Sequence, residues 1–156
     1  MRFTKKTEYG LICLVHMARL NGKRPIPLKE LVIDEHYSLP FTEKIFQKLR
    51  AARIVQSQQG NQGGYALARP ASKITLKEII EALEGQTFDI FCHSENRRDV
   101  VCSHFPLCGV KPIWEKTKSL IDEYYDSLTL AMLAEGNLGL ESKLPPQGHK
   151  NGRKRS

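Results

Sequence analysis

The spacing of apolar residues changes at Ile54, and this change constrains the fold more than any other feature of the chain. Up to that point apolar residues recur every three or four positions, which predicts helices over about residues 4–20, 28–32 and 40–53. Residues 54–59 and 65–70 instead have the composition of two short strands, and residues 60–64 between them contain three glycines. The sequence therefore predicts three helices followed by a hairpin with a glycine-rich tip.

Each of these helices has a predicted buried face. In the first helix it consists of Tyr9, Ile12, Cys13, Met17 and Leu20, and in the second of Leu28, Leu31 and Val32. Pro40 suits the first position of the third helix, because the N–H at that position has no helical partner. The buried stripe of the third helix is predicted to be Ile45, Phe46 and Leu49.

A fourth helix is indicated by its ends. Thr75 and Glu78 have the spacing of a capping box, flanked by Ile74 and Ile79 as a hydrophobic staple, and Gly85 follows the last apolar residue. From about residue 112 to 134 apolar side chains again recur every three or four positions, which predicts one long amphipathic helix with an aromatic-rich face.

The order helix, helix, turn, helix and hairpin is that of a winged helix-turn-helix, so we expect a mainly α fold. We assign residues 1–85 to this DNA-binding domain and residues 86–109 to a loop that carries three cysteines. The long C-terminal helix occupies residues 110–135. Residues 136–156, with prolines, glycines and basic residues but little to bury, are expected to be a flexible basic tail.

The net charge of +7 is unevenly distributed. Residues 1–70 hold 12 basic and 5 acidic residues, residues 71–140 hold 7 and 11, and the last sixteen hold 5 and 1. A basic first half joined to an acidic second half indicates that the first half binds a polyanion.

No segment is long and apolar enough to predict a membrane span, since the longest apolar run covers only residues 11–15. The N-terminal stretch lacks the apolar core of a signal peptide. We therefore expect a cytoplasmic protein without a membrane partner, whose thiols stay reduced.

The winged arrangement predicts which residues contact double-stranded DNA. The third helix enters the major groove with its N-terminal residues nearest the base edges, its basic residues contact phosphates, and the hairpin tip follows the minor groove. The predicted contacts are, on the helix, Phe41, Thr42, Glu43, Lys44, Gln47, Lys48 and Arg50 and, at the tip, Gln58, Gln59, Gly60, Asn61 and Gln62.

Three of the four cysteines, Cys92, Cys102 and Cys108, lie within 17 residues of one loop, whereas Cys13 lies on a predicted buried face. Their spacing lacks the Cys-x-x-Cys pattern of structural zinc sites. From spacing alone an iron–sulfur cluster, a zinc ion or redox-active thiols, and no site at all remain open. A thiol enzyme that uses a loop cysteine with His93 or His104 is a further alternative, but no oxyanion-forming turn or base-orienting carboxylate supports it.

The residues described so far resemble a bacterial family. Residues 1–11, 39–49, 63–70 and 74–80, together with the three-cysteine loop, are similar to the BadM/IscR/NsrR transcription regulators. The resemblance covers about residues 1–134. It implies no enzymatic activity but a homodimeric repressor, in which the long C-terminal helices cross and each winged domain binds one half-site of a palindromic operator.

The resemblance also implies a sensor. Cys92, Cys102 and Cys108 match the family cysteines that hold a [4Fe-4S] or [2Fe-2S] cluster, and Glu8 matches an acidic ligand supplied by the other subunit in the nitric-oxide-sensitive repressor. Lys111 stands where the cluster regulator has a ligating histidine. The chain therefore looks closer to the nitric oxide or iron sensors, with nitric oxide or another oxidant as the effector.

Overall fold

The computed structural model describes residues 4–20, 24–32, 38–60, 63–90 and 108–136. In chain order its elements are helix α1 (Lys5–Arg19), helix α2 (Leu28–Val32), helix α3 (Leu39–Ala51), strand β1 (Val55–Gln58), strand β2 (Gly64–Leu67), a 3-10 turn (Ala71–Lys73), helix α4 (Leu76–Glu84), helix α5 (Lys111–Ser127) and helix α6 (Leu130–Glu135). The predicted mainly helical fold with one small sheet is confirmed.

Helix α1 crosses the core, but its buried face differs from the prediction at two positions. Tyr9, Cys13 and Met17 are buried as expected, and Leu14 is buried with them. Ile12 is 49% exposed and Leu20 is 37% exposed, so the prediction was wrong for both. Ile12 is turned away from the centre of the buried face, and Leu20 follows the last helical residue.

Gly10 lets α1 approach two other helices closely. A Cβ atom at this position would lie 2.7 Å from Leu83 Cδ1 of α4 and 3.3 Å from Ile45 Cγ2 of α3. Both of those side chains are fully buried. The three helices therefore meet at Gly10, with Phe46 and Leu49 of α3 in the same core as predicted.

Helix α3 ends in a Schellman motif with an arginine at the left-handed position. Ile54 N–H donates to the carbonyl of Leu49 at 2.9 Å, and Arg53 N–H donates to that of Arg50 at 3.0 Å. Arg53 has a φ of 56°, a conformation that glycine usually adopts in this motif. The motif turns the chain from α3 into β1, and both of its hydrogen-bonded ends, Leu49 and Ile54, are fully buried in the core.

The wing is a hairpin supported by a third segment of chain. Strands β1 and β2 pair antiparallel, from Val55 opposite Leu67 to Gln58 opposite Gly64. Ile26, which precedes α2, bridges β2 through Ile26 N–H to Tyr65 O at 2.8 Å and Tyr65 N–H to Ile26 O at 2.9 Å. These bonds fix the wing on the helical part of the domain.

Helix α4 begins with the predicted capping box. The Thr75 hydroxyl accepts from Glu78 N–H at 3.2 Å, and Glu78 accepts from Thr75 N–H at 2.8 Å. Glu78 also forms an ion pair with Arg69 at 2.8 Å, which ties the end of the wing to the start of α4. Ile74 and Ile79, the predicted staple, are both fully buried.

The predicted single long C-terminal helix is two helices. Leu128 and Thr129 are extended, and Thr129 starts α6 by accepting from Met132 N–H at 3.3 Å. Leu76 N–H donates to Leu128 O and Leu130 N–H donates to Ile74 O, both at 2.8 Å. The helix breaks because this pairing buries Leu128 and Leu130 against the start of α4.

Two predicted segments fall largely outside the described residues, namely most of the cysteine loop (91–107) and the basic tail (137–156). The boundaries assigned to them therefore stay predictions. Within the described part of the chain, no helix combines the length and the apolar character that a membrane span needs.

Candidate nucleic-acid interface and ligand residues

Most of the side chains predicted to face DNA on α3 are exposed. Glu43, Lys44, Gln47, Lys48 and Arg50 all lie on the solvent side of the helix, opposite the buried stripe. They form one continuous surface, which we call the α3 face. Its two lysines and one arginine outnumber its single acidic residue, so the α3 face is suited to contact phosphates.

Two residues predicted on this surface are less accessible than the others. Thr42 is fully buried, and its hydroxyl donates to the carbonyl of Ser38 at 3.3 Å, so its side chain faces the core. Phe41 is half-buried, with its ring centroid 6.3 Å from that of Tyr9. Phe41 thus packs the start of α3 against Tyr9 of α1.

Lys48 is exposed, but its ammonium group already has a protein partner. Lys48 Nζ donates to the carbonyl oxygen of Leu83 in the last turn of α4 at 3.0 Å. Among the described residues, neither Lys44 nor Arg50 has an ion-pair or side-chain hydrogen-bond partner. Lys48 therefore differs from the other basic side chains of the α3 face.

The described residues of the wing tip are exposed to solvent. Gln58, Gln59 and Gly60 are exposed, and Gly60 has a φ of 131°, a backbone conformation that favours glycine. Gly63 N–H donates to Gly60 O at 2.8 Å. Asn61 and Gln62, also predicted contacts, lie outside the described residues.

Glu8 is an exposed residue in the first turns of α1. Its carboxylate has no ion-pair or hydrogen-bond partner among the described side chains. The turn that carries Glu8 is held by Glu84, at the end of α4, which accepts hydrogen bonds from the hydroxyls of Thr4 and Thr7. The carboxylate of Glu8, the predicted ligand, is thus accessible, and the backbone that carries it is held in place by Glu84.

Glu84 is a functional candidate that the sequence analysis missed. Partial burial alone would raise the pKa of Glu84, but the hydroxyls of Thr4 and Thr7 and the Lys6 ammonium, 3.3 Å away, together lower this pKa below its usual value. An acidic residue in the last turn of a helix interacts unfavourably with the helix dipole. This position in α4 was the sequence feature that could have indicated a stabilising partner for Glu84.

Of the three loop cysteines, only Cys108 is described. It is half-buried and lies three residues before α5 begins. Cys92 and Cys102 lie outside the described residues. Within those residues no group of three or more histidine, cysteine or acidic side chains could hold a metal ion. Cys108 and Glu8 each fit a ligand role by chemistry and access.

Lys111 and Cys13 are engaged in other ways. Lys111 lies 3.5 Å from Glu115 in an ion pair on α5. Cys13 is buried in the core of the winged domain, as predicted for a structural cysteine.

Helix α5 presents an apolar surface to solvent. It contains no buried residue, and Ile113, Leu120 and Tyr124 are 59%, 53% and 46% exposed. Their spacing of seven and four residues places them on one side of the helix, which we call the α5 stripe. On another side, Asp122 accepts from Thr87 and from Lys118, which anchors α5 to the segment after α4.

The chain is similar to known transcriptional regulators. The model of the family described as "Rrf2: Iron-dependent Transcriptional regulator" matches residues 3–136. The HTH-type transcriptional regulator IscR of Vibrio atlanticus is 31% identical over 141 residues, which cover 90% of this chain and 79% of that protein.

Solved structures have the same fold. CymR (YrzC), described as the global cysteine regulator of B. subtilis, is 28% identical with a TM-score of 0.70, over 87% of this chain and 98% of that one. IscR of T. potens is 30% identical with a TM-score of 0.66, over 92% and 93%.

These likenesses confirm the winged-helix fold and the DNA-binding role. Because the family and its relatives are transcriptional regulators, they also confirm that the chain is not an enzyme, which excludes the thiol-enzyme alternative. The likeness extends through the winged domain and α5 to the end of α6. The chain belongs to the Rrf2 family of transcriptional regulators.

Proposed function

We propose that the chain is a cytoplasmic, homodimeric repressor whose affinity for a double-stranded DNA operator responds to nitric oxide or another oxidant through an iron–sulfur cluster. The observation that carries the sensing part is the pair of accessible ligand candidates, Glu8 on α1 and Cys108 before α5. Neither side chain has a hydrogen-bond or ion-pair partner among the described residues. The family description as iron-dependent agrees with this role.

The proposed ligands are three thiolates and one carboxylate. Cys92, Cys102 and Cys108 would hold a [4Fe-4S] or [2Fe-2S] cluster, and Glu8 of the partner subunit would complete it. When bound, the cluster supplies iron that reacts with nitric oxide and oxidants. Glu8 would then connect the loop of one subunit to α1 of the other, and loss of that ligand would release α1.

The cluster is tested by purifying the protein without oxygen and measuring iron, acid-labile sulfide and visible absorption. We expect a coloured protein whose colour is lost in Cys108→Ala and retained in the control Cys13→Ala, since Cys13 is buried in the core. A colourless, iron-free protein after reconstitution would refute the proposal. One zinc without sulfide would instead support a zinc or thiol–disulfide switch in the same loop.

We propose that the α3 face and the wing tip bind the operator. Gln47 is exposed about two turns after the start of α3. An amide side chain can form two hydrogen bonds with an adenine edge. Against a duplex selected from random DNA by the wild-type protein, Gln47→Ala should lose discrimination at one base pair, by about 1–3 kcal/mol. The control Gln56→Ala, an exposed change on β1, should retain it. Equal base preferences in both variants would contradict the assignment.

We propose that the α5 stripe forms the dimer interface. Large exposed apolar side chains in one row cost free energy in water, and burial against the same stripe of a second copy removes that cost. Sedimentation should show a dimer that Leu120→Ser with Tyr124→Ser converts to a monomer. Asp126→Ser, on the side of α5 that faces Lys77 of α4, should remain dimeric. A dimer that survives the double change would refute this interface.

A further inference from the structure

The last turn of α4 contacts both the helix that carries Glu8 and the helix predicted to read DNA. On one side, the Leu83 carbonyl accepts from Lys48 of α3 at 3.0 Å. On the other side, the Glu84 carboxylate accepts from Thr4 and Thr7 and pairs with Lys6 at 3.3 Å, all on or beside the first turn of α1. We call these two adjacent residues and their partners the α4 junction.

The contact of Lys48 has a specific physical reason. The last four carbonyl groups of a helix have no partner within it, and the Leu83 carbonyl is one of them in α4. A cation there both satisfies the carbonyl and interacts favourably with the negative end of the helix dipole. The Leu83 side chain is fully buried where Gly10 brings the helices together, so the carbonyl is a fixed point for Lys48.

The contact of Glu84 has the complementary reason. Its charge is unfavourable at the C-terminal end of α4 but favourable at the N-terminal end of α1, where N–H groups lack helical partners. Thr4 occupies the N-cap position of α1, yet its hydroxyl makes no cap bond and instead donates to Glu84. The carboxylate therefore fixes the start of α1 from outside that helix.

We propose that Lys48 and Glu84 are positioning residues for DNA recognition, which hold α3 and the first turn of α1 on the same end of α4. In this role Lys48 does not contact a phosphate, in contrast to the sequence prediction. Glu8 directly follows Lys6 and Thr7, which contact Glu84. The orientation of the α3 face then depends on the turn of α1 that carries Glu8, because both are held by the same end of α4. This inference rests on the proposed DNA interface and deepens it.

The role of Lys48 is tested by the salt dependence of DNA affinity. Each phosphate contact makes log K fall more steeply with log salt concentration, by about 0.9, and we call the magnitude of this fall the salt slope. Lys44→Met, which removes an exposed lysine of the same helix, should lower the slope by about 0.9 for each bound subunit. Lys48→Met should weaken binding to the selected duplex by about tenfold, the effect of one lost charge-assisted hydrogen bond, with the slope unchanged.

The outcomes separate this inference from the proposed interface. A slope that falls in Lys48→Met as it does in Lys44→Met would identify Lys48 as a phosphate contact and overturn the positioning role. Unchanged affinity in Lys48→Met would overturn it as well. If Lys44→Met alters neither affinity nor slope while Lys48→Met weakens binding, the proposed phosphate contact of Lys44 fails and the positioning role of Lys48 stands.

The role of Glu84 is tested by whether its substitution strengthens or weakens binding to DNA. Removing a negative charge generally strengthens binding to DNA, because it removes repulsion from the phosphates. The control Glu81→Gln, also on α4 and without a side-chain partner among the described residues, should therefore bind equally well or more tightly. Glu84→Gln should bind several-fold more weakly, with an unchanged salt slope. Binding as tight as that of Glu81→Gln would overturn the role of Glu84.

Discussion

Gly64, the first residue of β2, is the position where one added methyl group should disturb the DNA-binding domain most. A Cβ atom there would lie 2.5 Å from the carbonyl carbon of Ile26 and 2.7 Å from the nitrogen of Pro27. Both neighbours are backbone atoms, which cannot move aside as a flexible side chain can. We therefore expect Gly64→Ala to push the wing away from Ile26.

The cost follows from the two hydrogen bonds of the Ile26–Tyr65 bridge, at 2.8 and 2.9 Å. Losing both costs about 2 kcal/mol, and leaving polar groups of the buried Ile26 backbone unpaired adds up to about 2 kcal/mol more. The free energy of unfolding should fall by about 2–4 kcal/mol. For a chain of this size that corresponds to a decrease in Tm of roughly 5–15 °C.

Urea unfolding followed by circular dichroism measures this difference, and Gly109→Ala is the matched control. A Cβ at Gly109 would meet no atom within 4 Å, and its φ is not positive, so the same chemical change should be nearly neutral there. A loss below about 1 kcal/mol in Gly64→Ala, or an equal loss in both variants, would show that the wing is not held against Ile26 as described.

Three further changes have defined outcomes. Arg53→Gly relieves the strain of a φ of 56° and should stabilise the protein by about 1 kcal/mol in urea unfolding. The control Ala52→Gly, at a φ of −80°, should not stabilise it, and a loss of stability in Arg53→Gly would mean that the contacts of the arginine side chain outweigh the strain. The pKa of Glu84 is lowered on folding, so the contribution of Glu84 to stability is present above the usual pKa of 4.5 and is lost as the pH falls through the pKa of the folded state. The Tm difference between wild type and Glu84→Gln should therefore narrow in acid, and a constant difference would contradict this. Thr129→Ala removes the cap of α6 and should lower the free energy of unfolding by about 1 kcal/mol in thermal unfolding. In the control Thr117→Ala, the lost hydroxyl donates to Ile113 O on the exposed side of α5, so the cost should be smaller. Equal losses would argue against the cap.

The features that could be predicted from the sequence are those decided by nearby residues. The capping box at Thr75 and Glu78 involves atoms three residues apart, and the buried stripe of α3 follows from its period. The break between α5 and α6 could not be predicted in this way, because Thr129 leaves the helix to pair with Thr75, which is far away in the sequence. Ile12 was misassigned because periodicity alone does not define the centre of a buried face.

The candidate DNA site shows the same division. Periodicity placed Gln47 and Lys44 on an exposed side of α3, but it could not show that Thr42 is buried or that Lys48 has a partner on α4. These two facts depend on which helices pack against α3. Glu84 was missed for the same reason, since its partners belong to α1.

Helix α5 is attached to the winged domain at both ends, and this bears on how a dimer would influence DNA binding. Near its start Trp114 packs on Phe88, with ring centroids 6.3 Å apart, shortly after α4 ends. At its far end Leu128 O accepts from Leu76 N–H, in the first turn of α4. A rotation of α5 against a second copy would therefore act on both ends of α4. Since one of those ends holds Lys48 and Glu84, a contact between two copies of α5 would shift the α3 face through α4, with no need for a direct contact between α5 and α3.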